Sequence, residues 1–345
     1  MRPTWTRLGI VAAALVAALS LVAIAGFDLE ATVVAAWRGS FGSAFAITSG
    51  TLKRAIPLVV LGIAVAAAFR AGVLNIGADG QFLAGATAAV SLGLALPTHT
   101  PRVVALPLEA SAAIAAGGGW AFIAAVLRRR FAVTEVVSTL LLNFVALNLV
   151  GFLVRGPLQE PTHAFPQSAS LPDLARIPRL IAGQPLHWGI IATVFIAIGA
   201  WWVFDRTATG FRARAAGAGP AAAASAGQID VPLTQSRALV ASGALAGFAG
   251  FVEACGVTYA LYEGLSPGYG YTAIAVALLG NLRPHAIVAA AVLFGALGSA
   301  ADAMQRDAGV PAELATIVAA FVVLGVLITP TARRSHGLAH PSASS

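Results

Sequence analysis

Asn75, Gln81 and Asn143 are carboxamides set among long apolar runs, and they are the residues whose types suggest chemistry. A carboxamide offers both a donor and an acceptor, which suits a neutral polar solute such as a sugar, nucleobase or nucleoside better than an ion. Asn75 and Gln81 fall in Phe69-Arg-Ala-Gly-Val-Leu-Asn-Ile-Gly-Ala-Asp-Gly-Gln-Phe82, which also holds Gly72, Gly77, Gly80 and Asp79. The flanks Ala55–Phe69 and Phe82–Leu96 each fall short of the ~20 residues a helix needs to cross a bilayer. A glycine-rich polar break between two short helices reads as a discontinuous element that leaves backbone donors and acceptors free beside the amides. The other reading is an ordinary cytoplasmic turn between two spans. Asn143 and Asn148 stand five residues apart, roughly 140° around a helix. One of them can therefore face a lumen while the other ties helices together, a bond worth roughly 1 kcal/mol.

Several chemistries are excluded. Glu109 is a lone acid within an apolar run, either a proton relay or a helix partner, with no second acid or acid–histidine chain to pair with. Ser, His and Asp residues are scattered without nucleophile spacing, so no enzyme is indicated. No Gly-rich loop ending in Gly-Lys-Ser/Thr occurs, so this chain does not itself hydrolyse ATP and carries no cofactor of its own. The single cysteine, Cys255, rules out an internal disulfide, and the six histidines show no metal-ligand spacing.

The elements that must position the amides follow from composition. The chain of 345 residues is 58% hydrophobic and 10% charged, against roughly 25% charged in a soluble protein. It therefore reads as an all-α polytopic membrane helix bundle of about ten crossings, with discontinuous segments. Residues 1–7 precede a first span, 8–26, that resembles a signal peptide but reads as a retained anchor. The membrane-embedded body runs over 8–329, and 330–345 form a polar tail expected to be disordered. Residues 27–54 read as an external loop with a segment dipping into the membrane near Phe41–Ile47, and 155–185 as a long proline-rich external loop. Tyr271–Gly280 is too short to cross and reads as a second half-helix. With both termini cytoplasmic, inside segments hold thirteen of the Lys and Arg residues and outside segments eight. The net charge of +7 is thus a matter of topology, and no basic, aromatic-interleaved stripe points to nucleic acid. Interruptions at Gly72–Gly80 and Gly264–Gly270 suggest a possible internal repeat around a central site.

Residues 205–237 form the longest stretch without a span. Pro220 can take the first position of a short helix, the alanines after it favour helix, and Gly227 can end it. A small-surfaced helix of this kind could dock in a partner's groove or be a plain surface element.

These stretches are similar to a known family. Phe69 through Gln81 resembles the signature of bacterial ABC-transporter permeases of the branched-chain amino acid/ribose permease superfamily, in its nucleoside and simple-sugar branch. Glu135-Val-Val-Ser-Thr-Leu-Leu-Leu-Asn143, Arg214-Ala-Ala-Gly217 through Gly227, and Ile274-Ala-Val-Ala-Leu-Leu-Gly280 fit the same family. Gly219 and Gln228 stand where the family's cytoplasmic segment usually has asparagine and an apolar residue, and Asp79 replaces a commoner glutamate. The resemblance implies an importer in a bacterial plasma membrane. It would comprise this subunit, a second permease subunit, ATP-binding ATPase subunits and an extracytoplasmic solute-binding protein that meets loop 155–185. It assigns Asn75, Gln81 and Asn143 to the path of a nucleoside-like solute, and Arg212, Arg214, Gly217 and Pro220 to coupling with the ATPase.

Overall fold

The computed structural model describes residues 4–181, 183–225 and 227–328. Arg2, Arg333, Arg334 and the polar tail lie outside them. The chain divides into two compact units, residues 37–300 and the two terminal stretches 1–36 with 301–345. In the terminal unit helix α1 (Thr4–Ile24) packs with α13 (Ala312–Ile328), and Met304, Val310 and Ala315 are buried with Phe27 and Ala36 around them.

Six helices among the described residues are long and apolar enough to cross a bilayer, and Ala12–Ile24, Tyr269–Leu279 and Ala312–Gly325 are shorter apolar helices. The all-α polytopic bundle expected from composition is what forms. α2 (Leu29–Ser40) is followed by a π-helical turn, Ala46–Leu52, that runs straight into α3 (Lys53–Arg70). Two expectations are corrected here. Residues 27–54 are largely helical, not a loop, and the run before the break is a continuous 25-residue span, Ala46–Arg70, not a half-helix. The polar side chains that disguised it are satisfied locally: Thr48 Oγ1 donates to the Ala44 carbonyl at 2.8 Å and Thr51 Oγ1 to the Ser40 carbonyl at 2.8 Å. Pro57 lacks the N–H that would bond Lys53, and the wide turn lies just before it.

α3 is buried along most of its length. Against it pack α4 (Ala78–Ala95), α10 (Val231–Glu253) and α11 (Tyr269–Leu279), while α5 (Arg102–Phe131) closes on α4 and α10. Glycines let α4, α5 and α10 approach backbone to backbone, as small residues do between membrane helices. A Cβ on Gly117 would overlap the Gly243 carbonyl oxygen, and one on Gly85 would overlap Gly247. α6 (Glu135–Val154), α7 (Gly189–Arg206) and α12 (Pro284–Ala308) complete the set of long helices, and α7 buries the smallest share of its apolar surface. Glu109 is fully buried in α5, its carboxylate beside the thiol of Cys255, which is itself buried.

Residues 155–188 fold over one end of the bundle, with the backbone N–H of Ser168 on Leu261, of Leu171 on Tyr259 and of Ile177 on Cys255. Inside this cap lies His187, whose Nδ1 accepts the Gly189 N–H at 3.1 Å and whose Nε2 has no partner. Burial pushes its pKa down to about 4, so the folded cap holds it neutral. An opened cap binds the extra proton from about pH 6.5 downward. Cap stability is therefore complete above that pH and falls as acid carries the chain toward pH 4, by up to about 3 kcal/mol. The expected result is a thermal midpoint that falls further between pH 6.5 and 5 in the native chain than in His187→Gln.

Candidate functional site: the junction of two helix breaks

After α3 the chain turns at Gly72, whose φ of +75° suits glycine, and re-enters the bundle through residues 73–77 to start α4. A second break, Tyr259–Gly268, precedes α11 and carries positive φ at Gly264 and Gly268. The two breaks meet. Asp79, in the first turn of α4, accepts Ser266 Oγ at 2.6 Å and the Gly270 N–H at 2.8 Å through one carboxylate oxygen. Gly270 has to be glycine, because a Cβ there would overlap the backbone of Asp79.

The predicted amides converge on this junction. Asn75 and Gln81 are 0% and 1% exposed and bond each other reciprocally: Asn75 Nδ2 donates to Gln81 Oε1 at 2.8 Å and Gln81 Nε2 to Asn75 Oδ1 at 3.0 Å. Asn75 also donates to Ser242 Oγ of α10 at 2.9 Å and accepts the Gly77 N–H at 3.0 Å. Asn143 of α6 spans both breaks, accepting the Gly80 N–H at 2.8 Å and donating to the Ile76 carbonyl at 2.9 Å and to Tyr271 Oη of α11 at 3.0 Å. At the start of α4 the N–H groups of Gly77 and Gly80 are thus met by side-chain oxygens.

Two thirds of α6's apolar window lies outside the bundle core. On that exposed face Asn148 finds a partner only in its own helix, donating to the Phe144 carbonyl at 2.8 Å. Next to it Arg155 pairs with Glu263 at 2.7 Å, and Gly151 leaves the space that Glu263 fills. Asn148, Phe152, Arg155 and Glu263 line a cavity of about 580 Å³, and Tyr271, 42% exposed, carries the polar face back to Asn143. Sequence reading weighed Asn148 but did not select it, and it missed Tyr271, Glu263 and Arg155. The available signal was the i, i+4 ladder Asn143, Leu147, Gly151, Arg155, which puts a polar residue at both ends of one helical stripe.

Beside the C-terminal end of α3, α8 (Ala208–Ala218) and α9 (Pro220–Ser225) form a compact helical pair. The sequence predicts only the second of these. α8 begins where Thr207 Oγ1 accepts the Gly210 N–H, and Pro220 opens α9 as expected. The four coupling candidates divide. Arg212 and Pro220 are exposed. Arg214 is turned inward, on the Phe204 carbonyl and Asp205. Asp205 also pairs with Arg70, the last residue of α3, at 3.3 Å. Gly217 packs on the Arg70 carbonyl and on Gly72. Gln235 donates to the Ala71 carbonyl at 3.1 Å and accepts from Arg128 at 2.7 Å. α8 is therefore seated on the same turn that leads into the Asn75–Gln81 pair.

A bundle of this kind, with a broken helix clasped at its centre and a small helical pair seated on the break, defines a membrane transport subunit. The chain belongs to the family described as branched-chain amino acid transport system, permease component, whose model matches residues 47–327. Among its relatives, the guanosine ABC transporter permease protein NupP of Bacillus subtilis is 37% identical over 325 residues, covering 92% of this chain and 90% of that one. The glucose ABC transporter permease protein TsgB13 of Haloferax volcanii is 34% identical over 346 residues, covering 96% and 90%. The nucleoside ABC transporter permease protein NupB of Lactococcus lactis is 30% identical over 299 residues, covering 84% and 81%.

Proposed function

We propose that this chain is the permease subunit of an ABC importer for a nucleoside-like solute, working beside a second permease subunit, ATPase subunits and an extracytoplasmic binding protein. The observation that carries the reading is the polar, aromatic-flanked cavity on the exposed face of α6, beside the junction of the breaks. Phe144 and Phe152 stand one helical turn either side of Asn148 on that face. An aromatic face stacks on any nucleobase for roughly 1–3 kcal/mol, and a carboxamide matches the mixed donor and acceptor edge of a base. Arg155 and Glu263 neutralise each other, which favours a neutral solute over an amino acid. Facing a second permease subunit, this side would form half of the passage. Asn75, Gln81 and Asn143 then act one layer behind the solute, holding the broken helix in the shape the passage needs.

The exposed surface around Arg212 and Pro220 would meet the ATPase, while Arg214 and Gly217 carry its movement to the break. This places α8, α9 and both termini in the cytoplasm of a bacterial cell and the cap 155–188 outside, where the binding protein docks. A glucose-transporting relative keeps simple sugars as the second reading.

The test is uptake by the reconstituted complex, with labelled guanosine competed by adenosine, ribose and leucine. Nucleosides are expected to compete and leucine not. Asn148→Leu should lower kcat/KM about tenfold, the scale of one lost hydrogen bond to cargo, with an unchanged thermal midpoint. Glu109→Gln should leave uptake within about twofold, because Glu109 is not among the residues that line the α6 cavity. Competition by ribose alone would shift the reading to sugars. Gradient-driven uptake by this chain without an ATPase would overturn it.

A further inference from the structure

A second concave feature lies away from the breaks, between α3, α7 and α12. It is a groove of about 420 Å³ with walls of Ile56, Val59, Val194, Ala197 and Val288 and almost no polar surface. Thr193, a polar residue in its wall, is satisfied within α7, donating to the Gly189 carbonyl at 2.9 Å. The groove runs along α7 from Ile190 to Trp201, about 16 Å at helical rise. It ends beside His285 and Trp201.

That end is basic. The Arg206 guanidinium stands over the Trp201 ring, 5.5 Å from its centroid, and Arg283 immediately precedes the start of α12. Arg283 lies near enough to Arg70 for the two charges to repel, as does Arg214. Asp205 is already committed to Arg70 and Arg214, while Arg206 and Arg283, both exposed, pair with no carboxylate among the described residues. Trp201 and Trp202 are exposed beside them, the placement of an interfacial aromatic belt.

We propose that this groove is a binding site for an anionic phospholipid, one acyl tail lying along α7 and the phosphate held between Arg206 and Arg283. The apolar trough gives a tail its length of contact without any polar group left stranded. Two unpaired arginines at its mouth supply the preference for a negative headgroup, and basic pockets between membrane helices at this level recognise such headgroups. A protein helix seated in the same trough would need its own acids to meet Arg206 and Arg283, and the trough offers no polar hook to orient one. The site is separate from the α6 passage and stands whether or not the cargo is a nucleoside.

The experiment titrates phospholipids with brominated tails into the complex held in unlabelled phosphatidylcholine. The readout is quenching of Trp201, isolated by difference from Trp201→Phe. Brominated phosphatidylglycerol should reach half-maximal quenching at a mole fraction about thirtyfold lower than brominated phosphatidylcholine with the same tails, from roughly 1 kcal/mol for each of the two arginines. Arg206→Gln with Arg283→Gln should erase that difference while leaving quenching by phosphatidylcholine. Ala197→Phe, which fills the trough, should weaken quenching by both. Equal half-points in the native complex would overturn the headgroup assignment. Absence of quenching by either lipid would show a protein surface covering the groove and overturn the site. The headgroup comparison needs only the native complex and the conservative Trp201→Phe reference, so a misfolded arginine or Ala197 variant leaves the test intact.

Discussion

Asn75→Leu is expected to abolish uptake and to lower the stability of the isolated chain by roughly 3–6 kcal/mol, the cost of stranding two or three buried polar groups at about 1–3 kcal/mol each. The groups are identifiable: the Gln81 carboxamide, the Gly77 N–H and the Ser242 hydroxyl each lose a partner at 2.8–3.0 Å. None has water within reach, since Asn75, Gln81 and Ser242 are essentially unexposed. The informative comparison is with Gln81→Leu and the double variant. Removing both members of a buried pair of similar shape costs much less than removing one. Asn75→Leu with Gln81→Leu should therefore recover a measurable part of the thermal midpoint lost by either single change, a coupling of about 1–3 kcal/mol in the double-mutant cycle. If the two amides served cargo alone, each single change would leave the midpoint unmoved and cut kcat/KM, and the double would be additive. Uptake and thermal melting on the same four proteins separate the cases.

The positions of the breaks were legible in the sequence because glycine clusters amid apolar runs have few other uses. So was the start of α9 at Pro220, and the separation of Asn143 and Asn148 onto different faces, which follows from their angle around one helix. The pairing of Asn75 with Gln81 was not. Residues six apart in a regular helix point to different faces, and only the re-entrant turn folds one back on the other. Lys53 and Arg54 hid the true length of α3's span, since a hydropathy reading rejects cations that here lie close enough to Glu253 to offset its charge. α8 was missed because Gly210 and Gly217 lower its intrinsic helix propensity. Their purpose is close approach, Gly210 to Phe204 and Gly217 to Arg70. Long-range partnerships had no local trace at all: Asp79 with Ser266 spans 187 residues and Arg155 with Glu263 spans 108.

Gly217→Val is expected to uncouple the transporter. A Cβ at this position overlaps the Arg70 carbonyl oxygen and closes on the Gly72 nitrogen and the Ala71 carbonyl carbon. These are backbone atoms at the turn into the break, so no side-chain rotation relieves the clash, and α8 must move off. Overpacking of this sort costs about 1–3 kcal/mol, small enough for the bundle, whose core lies among α3, α4, α5 and α10, to stay folded. What is lost is registration, because the same turn is held from the other side by Gln235 on Ala71 and ends in the Asn75 clasp. In a reconstituted complex, solute uptake should fall more than tenfold and solute should cease to stimulate ATP hydrolysis, while the thermal midpoint drops by only a few degrees. Gly219→Ala is the matched control. It lies two residues on, its added Cβ would meet only the Ala222 methyl at 3.8 Å, and its φ of −160° is open to any residue. If both variants transport alike, the contact between α8 and the break is packing without mechanical consequence. If only Gly217→Val fails while melting almost as the native chain does, the movement of a cytoplasmic motor reaches the solute passage through this one backbone-to-backbone seat.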